Sequence, residues 1–268
     1  MEQDELVRLS DISLWEAYRE HIRRSPGGVI QEGDGLLLHA GAHPTRAFVN
    51  GAKRTDVSMP AEEVLARADA FFGARGHDYT IMVRTHADSD LEEGLLDAGF
   101  TRMYDNAGMI LEHRFEDREA PPGVEIRRVR SAPEARDFAG VNAEVFEGDD
   151  AGMKGFVHTL FADVRSLVAP HIAGFVAYLE GAPVSAALTL VSHGVAWLGW
   201  VVTKEAVRGR GLGEAVTRTA TNAGFDLGAR MASLQASKMG EPLYHRMGFV
   251  EITRYFSYVR PHEDRVAS

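Results

Sequence analysis

Apolar and polar residues recur with two different periods along this 268-residue chain, and the changes of period predict its elements. Apolar spacings of three and four predict amphipathic helices, whereas short β-branched runs predict strands. The expected helices cover residues 11–24, 60–75, 91–98, 132–146, 153–164, 212–227 and 242–247. The expected strands cover residues 29–31, 36–40, 48–49, 79–83, 100–111, 124–129, 172–179, 182–191, 195–203, 231–236 and 249–259. Asp11 or Ser13 is the expected N-cap of the first helix.

A polar and charged stretch at residues 113–123, which contains Pro121-Pro122, divides the chain into two halves. Such a composition is typical of a linker. It predicts one domain at residues 1–115 and a second at 123–268. Each half ends with a strand, a short helix, the dipeptide Gly-Phe and a terminal strand, and this weak repeat predicts two related domains.

Composition narrows the class of protein. Hydrophobic residues make up 45% of the chain, which is enough for a sizeable core. The net charge of −10 argues against a general nucleic-acid binder and against anionic membrane surfaces. The absence of cysteine excludes a thiolate nucleophile and a disulfide framework. Residues 1–8 are acidic and do not resemble a secretory signal, so a cytoplasmic protein is expected.

Metal binding is not expected from this sequence. His39 and His43 have a spacing that metal ligands often show, but the segment is a loop with Pro44 and offers no third ligand. A Cys-based site is excluded because the chain has no cysteine.

The most informative segment follows the apolar strand at residues 195–203. It reads Arg208-Gly209-Arg210-Gly211-Leu212-Gly213 and leads directly into a helix. Glycine lets the backbone approach a bulky anion, and the first turn of a helix offers unpaired N–H groups. The arginines add charge-assisted donors. The segment therefore predicts a diphosphate cradle. A dinucleotide motif fails because Glu214 or Val216 stands at its last glycine, and the P-loop ending Gly-Lys-Ser/Thr is missing.

A second motif, Tyr244-x-x-x-Gly248-Phe249, follows in the order strand, short helix, strand. Together with Arg208, Gly211 and Gly213 it resembles the GNAT superfamily of N-acetyltransferases. The resemblance covers residues 124–261, and the first half resembles a degenerate copy. It implies an α/β (α+β) fold of two GNAT-like domains, each with a mostly antiparallel central sheet flanked by helices. A splayed parallel strand pair is implied in the second domain.

The resemblance also implies acetyl-CoA as co-substrate and a primary amine as acceptor. Transfer is expected to be direct, because no cysteine can carry the acyl group. Tyr244 is the implied general acid, and a backbone N–H of Val201 or Val202 would polarise the thioester. Ser237 stands where the family often has asparagine. The residues implied to bind the co-substrate are Val201, Val202, Thr203, Arg208, Gly209, Arg210, Gly211, Leu212, Gly213 and Ser237.

The general base and the acceptor are not fixed by the sequence. An acidic cluster, Glu144, Glu147, Asp149 and Asp150, could attract a cationic amine or be ordinary loop charge, and Glu144 and Glu147 are the tentative acceptor residues. His193 is expected on the surface of a hairpin turn. Trp197 and Trp200 are expected on opposite faces of their strand, in core packing.

The sequence therefore leaves two hypotheses for the function of this chain. The first is an acetyl-CoA-dependent N-acetyltransferase that acts on a small-molecule or peptide amine. The alternative is a non-catalytic acyl-CoA-binding sensor or interaction module, because the first half lacks both motifs. Either a monomer with pseudo-dimeric domains or a homodimer fits the repeat.

Overall fold

A computed structural model describes residues 2–44, 49–146, 157–161 and 163–260 of the chain. The helices are α1 (Gln3–Arg24), α2 (Ala61–Gly73), α3 (Ser89–Asp97), α4 (Ala132–Phe146), α5 (Leu212–Asp226) and α6 (Glu241–Arg246). Short 3-10 helices lie at Val164–Ser166 and Glu205–Val207. Of the helix expected at 153–164, residues 157–160 are helical, whereas residues 153–156 and 162 lie outside the described residues.

The first half contributes the strands β1 (Val29–Gly33), β2 (Leu36–Ala40), β3 (Gly51–Arg54), β4 (Thr80–Arg84) and β5 (Thr101–Leu111). The second half contributes β6 (Val124–Arg128), β7 (Val168–Ala169), β8 (Ile172–Leu179), β9 (Ala182–Ser192), β10 (Val195–Thr203), β11 (Met231–Ala236) and β12 (Val250–Val259). The sequence pattern gave the bounds of α4, β8, β10 and β11 correctly. The strand expected at 48–49 is wrong at Val49, which lies in a turn. The strand of this region begins at Gly51.

Within the described residues all twelve strands belong to one sheet. Its order is β1-β2-β3-β4-β12-β5-β11-β10-β9-β8-β6, with β7 paired to β8 beside this path. Parallel pairing occurs between β3 and β4 and between β10 and β11, while the other pairs are antiparallel. The mixed, mostly antiparallel sheet flanked by helices confirms the predicted fold class.

The two halves exchange their last strands. β12, the last strand of the chain, lies between β4 and β5 of the first half. β5 in turn lies between β12 and β11 of the second half. Each half therefore completes its part of the sheet with a strand from the other. The domain limits of 1–115 and 123–268 remain a prediction about the chain, and these strand pairs cross that division.

Helix α1 packs across the line where the two halves meet. Leu6 and Leu9 contact the second-half strands through Val195 and Met231. Further along the helix, Leu14 and Trp15 pack against Leu37, Met82 and Tyr255. The helix begins at Gln3 rather than at residue 11, because these apolar residues extend its buried stripe toward the N-terminus.

The expected cap of α1 is wrong. Asp11 is buried inside the helix, where its carboxylate accepts a hydrogen bond from the Tyr255 hydroxyl at 2.7 Å. The same carboxylate lies 3.1 Å from Arg84 Nη1 and 3.1 Å from His86 Nε2. Ser13 is also buried, and its hydroxyl donates to the Ser10 carbonyl. Asp11 thus binds α1 to β4 and β12, and neither Asp11 nor Ser13 caps a helix end.

Candidate active site

The parallel pair β10–β11 opens into a V halfway along β10. Pairing begins at Val195 and ends where Leu198 faces Leu234. Against β9, β10 carries one extra residue between Gly199 and Val202, which is a β-bulge. Beyond Leu198 the edge of β10 is no longer paired with β11, so its backbone groups can bind an extended ligand. The predicted splayed pair is confirmed.

The Gly-rich turn at residues 208–213 joins this strand to α5. Gly209 and Gly211 have φ angles of 76° and 78°, a region in which side chains other than glycine are strained. Gly211 is the N-cap of α5 and supplies no side-chain cap. A Cβ on Gly213 would lie 3.2 Å from Thr203 Oγ1, so the backbone is tightly packed there. Uncapped N–H groups behind a glycine backbone fit a phosphate.

The charged side chains around this turn leave it suitable for binding an anion. Arg208 Nε donates to the Thr203 carbonyl at 3.2 Å, which holds the arginine beside the end of β10. Glu214 in the first turn of α5 would repel a phosphate. Its carboxylate, however, accepts a hydrogen bond from Arg218 Nη2 at 2.8 Å and lies 3.7 Å from Arg118 Nη1. These two cations offset the charge of Glu214.

Tyr244 lies on α6, at the other side of the splay. Its side chain is buried and packs edge-on against Phe249, with ring centroids 5.8 Å apart. Burial raises the pKa of the Tyr244 phenol above its ordinary value, so the hydroxyl stays protonated at neutral pH. Among the residues that the structure describes, no side chain or carbonyl accepts a hydrogen bond from this hydroxyl.

A single cavity of about 900 Å³ connects the open edge of β10, the Gly-rich turn and Tyr244. The predicted residues that line it are Val201, Val202, Thr203, Arg208, Gly209, Gly211, Leu212, Gly213, Ser237 and Tyr244. Arg210 is exposed and is not among the described lining residues. Ser237 Oγ accepts the N–H of Gly240 at 3.3 Å, next to the start of α6.

The comparisons with known proteins agree with this geometry. Residues 170–251 match the family model described as acetyltransferase (GNAT) domain. The chain therefore contains a GNAT acetyltransferase domain at these residues. This domain supports acyl-CoA-dependent acetyl transfer as the general activity. No curated protein matches the chain in sequence.

Solved structures show the GNAT fold over nearly the whole chain. A GCN5-related N-acetyltransferase from Kribbella flavida superposes with a TM-score of 0.73 at 18% identity, covering 96% of each chain. Another from Sphaerobacter thermophilus has a TM-score of 0.61 at 16% identity, covering 89% of this chain and 85% of its own. A tandem GNAT protein from the clavulanic acid biosynthesis pathway has a TM-score of 0.59 at 14% identity, covering 92% and 88%. At these identities the likeness concerns the fold.

The first GNAT-like half contributes to the cavity through residues that the sequence analysis did not single out. Tyr18 and His21 on α1 line it, as does Tyr104 on β5. The apolar stripe of α1 resembles that of any core helix, so no local signal marks these residues. Their position follows from the strand exchange and from the packing of α1 across both halves.

Trp197 and Trp200 do not face opposite sides of β10, so that expectation is wrong. Both rings contact the His21 ring, with centroid distances of 5.7 Å and 5.8 Å. The bulge inserts one residue and Trp200 takes a φ of 55°, which reverses the alternation of the strand. The Trp197 ring also covers Gly199, where an added Cβ would lie 1.9 Å from Trp197 Cη2. Gly199 is therefore required by the ring above it.

The tentative acceptor residues are only partly described. Glu144, at the end of α4, pairs with Lys204 Nζ at 2.6 Å and is not among the described lining residues of the cavity. Glu147, Asp149 and Asp150 lie outside the described residues. His193 is exposed in its turn with a φ of 52°.

In the first half, the position that corresponds to the end of β10 and its Gly-rich turn holds the buried side chain of Arg54. This arginine ends β3, the strand that pairs in parallel with β4 as β10 pairs with β11. Its guanidinium is fully buried and binds Asp88 at 2.9 Å and Asp90 at 2.6 Å. It also donates to the Met59 carbonyl at 3.0 Å, just before α2. The position of an anion cradle is thus occupied by a side chain and its carboxylates.

No group of three or more potential metal ligands occurs among the described residues. Within the same part of the chain, none of the helices is long and apolar enough to cross a membrane.

Proposed function

We propose that this chain transfers an acetyl group from acetyl-CoA directly to a primary amine within a ternary complex. The observation that carries the proposal is the single cavity that joins the Gly-rich turn, the bulged edge of β10 and Tyr244. These three features would serve as a diphosphate site, an edge for an extended arm and a proton donor. Together they suit an elongated thioester whose reactive end would lie at the splay.

The co-substrate supplies an activated acetyl group as a thioester, and this chain supplies its binding groups. The N–H groups at residues 208–213 would hold the diphosphate, with Arg208 beside them. The pantetheine arm would follow the free edge of β10 at Val201 and Thr203 as an added strand. Ser237 would offer a hydroxyl on the opposite wall.

The direction of the backbone favours Val201 over Val202 as the thioester ligand. The N–H of Lys204 donates to the Val184 carbonyl on β9 at 2.9 Å. Backbone groups two residues apart in a strand point the same way, so Val202 also faces β9, and Ser185 Oγ donates to its carbonyl at 2.6 Å. Val201 then directs its N–H to the open edge. There it would stabilise the negative charge that develops on the acetyl oxygen.

Tyr244 would complete the reaction as general acid. The amine nitrogen attacks the acetyl carbon, a C–N bond forms and the C–S bond breaks. The sulfur takes the phenol proton, the amine loses one proton to solvent, and solvent returns a proton to the Tyr244 phenolate. Burial raises the pKa of Tyr244. The same environment disfavours a thiolate, so the two pKa values rise together and the proton transfer stays feasible.

Replacement of Tyr244 by phenylalanine tests the assignment. We expect kcat to fall by about 10²–10⁴ because the leaving thiolate loses its proton donor, while acetyl-CoA affinity stays unchanged. Thiol release measures kcat, and calorimetry measures binding. The control is Tyr178→Phe on β8, whose hydroxyl donates to Asp137 at 2.8 Å.

Equal kcat in the Tyr244 variant and the wild type would remove Tyr244 from the acid role. Binding of acetyl-CoA without transfer to any amine would favour the non-catalytic acyl-CoA sensor instead. Absence of acetyl-CoA binding would exclude both functions.

A further inference from the structure

The inner part of the cavity is lined by aromatic rings from both halves of the chain. We call it the aromatic chamber and define it by Tyr18, His21, Tyr104, Trp197 and Trp200. Each of these side chains is half-buried, which leaves part of each ring facing the space. The chamber adjoins the bulge of β10, where the acetyl group would lie. A second substrate that approaches the acetyl group from this side would contact these rings.

The chamber carries no formal charge at neutral pH in the part of the lining that the structure describes. The charged lining residues, Arg208, Glu214 and Arg246, belong to the Gly-rich turn and to helices α5 and α6. Burial raises the pKa of Tyr18 to about 12, so its phenol remains neutral. Burial also lowers the pKa of His21, which is therefore neutral at pH 7.

The polar atoms of the chamber are largely satisfied by the protein itself. Trp200 Nε1 donates to His21 Nε2 at 2.7 Å, and His21 Nδ1 lies 2.5 Å from the Ala17 carbonyl. Trp197 Nε1 donates to Gln235 Oε1 at 2.8 Å. These bonds occupy the ring nitrogens of His21, Trp197 and Trp200, so these three rings offer a ligand their faces and edges.

From this lining we propose that the aromatic chamber binds the acceptor, a monoamine carried on an apolar and preferably aromatic body. The inference rests on the proposed acetyl transfer and specifies its second substrate. The faces of tyrosine and tryptophan attract an ammonium group on entry, and the rings bury an apolar body. A polyamine or a multiply charged peptide would bring further charges into a chamber whose described residues offer them no charged partner.

An acceptor panel with full-length protein and acetyl-CoA tests the proposal. The apolar acceptors are 2-phenylethylamine, tryptamine and octylamine, and the polar ones are ethanolamine, putrescine, spermidine and a lysine-containing peptide. We expect kcat/KM for the aromatic amines to exceed that for ethanolamine by about tenfold or more, because buried apolar area distinguishes them.

A variant pair locates the effect in the chamber. Tyr104→Ala should raise KM for the preferred aromatic amine by about tenfold and leave KM for acetyl-CoA within about twofold. The matched control is Phe256→Ala, a half-buried ring on the neighbouring strand β12 that is not among the described lining residues. It should change neither KM. Circular dichroism and calorimetric titration with acetyl-CoA check that both variants fold.

The outcomes separate this inference from the proposed function. Preference for the polar amines, or acetyl-CoA binding with no aromatic amine consumed, would overturn the chamber as an acceptor site. An unchanged acceptor KM in Tyr104→Ala, with the variant folded, would also overturn it. Failure to bind acetyl-CoA would refute the proposed function itself, and the inference would fall with it.

Discussion

At the scale of single residues, the site depends on an unusual backbone conformation at Trp200. A bulky residue with a φ of 55° is strained, and such strain persists only where neighbours fix it. The neighbour here is His21, whose Nε2 accepts the indole N–H at 2.7 Å. Because an indole can only donate, His21 must carry its proton on Nδ1, next to the Ala17 carbonyl. A first-half histidine thus holds the bulge of the second half.

His21→Leu should lower kcat by about 10–100-fold, because the bulge and the Val201 N–H would lose their alignment. KM for acetyl-CoA should change little, since the Gly-rich turn is untouched. His21→Gln, which can accept the indole N–H again, should restore part of kcat. Steady-state kinetics and tryptophan fluorescence measure these effects. Equal losses in both variants would indicate packing alone rather than positioning of Trp200.

A second residue-scale feature lies behind the chamber, at Lys53. This lysine is buried, with Nζ 2.6 Å from His39 Nε2 and 3.7 Å from the centroid of the Tyr18 ring. Burial lowers the pKa of Lys53 well below 10.5. The pKa of His39 is also lowered well below 6.5, by burial first and by Lys53 second. Both groups bind fewer protons in the folded chain than in the unfolded chain.

Lys53 should therefore make the free energy of unfolding rise with pH between its lowered pKa and 10.5, because the unfolded chain binds the extra proton in that window. The contribution approaches about 1.4 kcal/mol per pH unit. Urea unfolding from pH 7.5 to 9.5 should show a flatter slope for Lys53→Met than for the wild type. Parallel slopes would mean that Lys53 keeps its ordinary pKa in the folded protein.

At the scale of elements, the sequence predicted what depends on local periodicity and missed what depends on partners. The strands β8, β10 and β11 and helix α4 have strong patterns and were placed correctly. The Gly-rich turn and Tyr244 were predicted as site residues from short local motifs, and the structure places both at one cavity. The face of β10 on which the Trp200 side chain lies was predicted wrongly, because a β-bulge adds a residue that the sequence periodicity does not show. The role of Arg54 was missed because its carboxylate partners follow more than thirty residues later.

Arg54→Met should lower the free energy of unfolding by about 3–5 kcal/mol, because it leaves the buried carboxylate of Asp88 without its full set of partners. Urea unfolding with circular dichroism measures the change. Arg67→Met is the control, since its pair with Glu63 at 3.6 Å is partly exposed and should contribute about 0–1 kcal/mol. Similar losses in the two variants would contradict the structural role of Arg54.

Calorimetry of the wild type should give one acetyl-CoA per chain.

At the scale of the whole molecule, one sheet serves both halves. β5 separates β11 from β12, and β12 separates β4 from β5. Helix α1 covers this junction and reaches the chamber through Tyr18 and His21. No feature of the sequence predicts the exchange of β5 and β12 between the halves, because each half carries a complete set of strand patterns. Pairing partners are chosen by tertiary structure, which periodicity does not encode.

The exchange predicts that the second half cannot fold alone. A fragment of residues 122–268 would lack β5, so β11 would lose its antiparallel partner and β12 would lose both neighbours. Unpaired strand edges next to exposed apolar residues favour aggregation. We expect this fragment to be insoluble or unfolded and to bind no acetyl-CoA, whereas co-expression with residues 1–121 should restore binding. The full chain should unfold in a single transition by calorimetry, because the halves share one sheet. A soluble fragment with the acetyl-CoA affinity of the full chain would show that the second half forms its site without the exchanged strand.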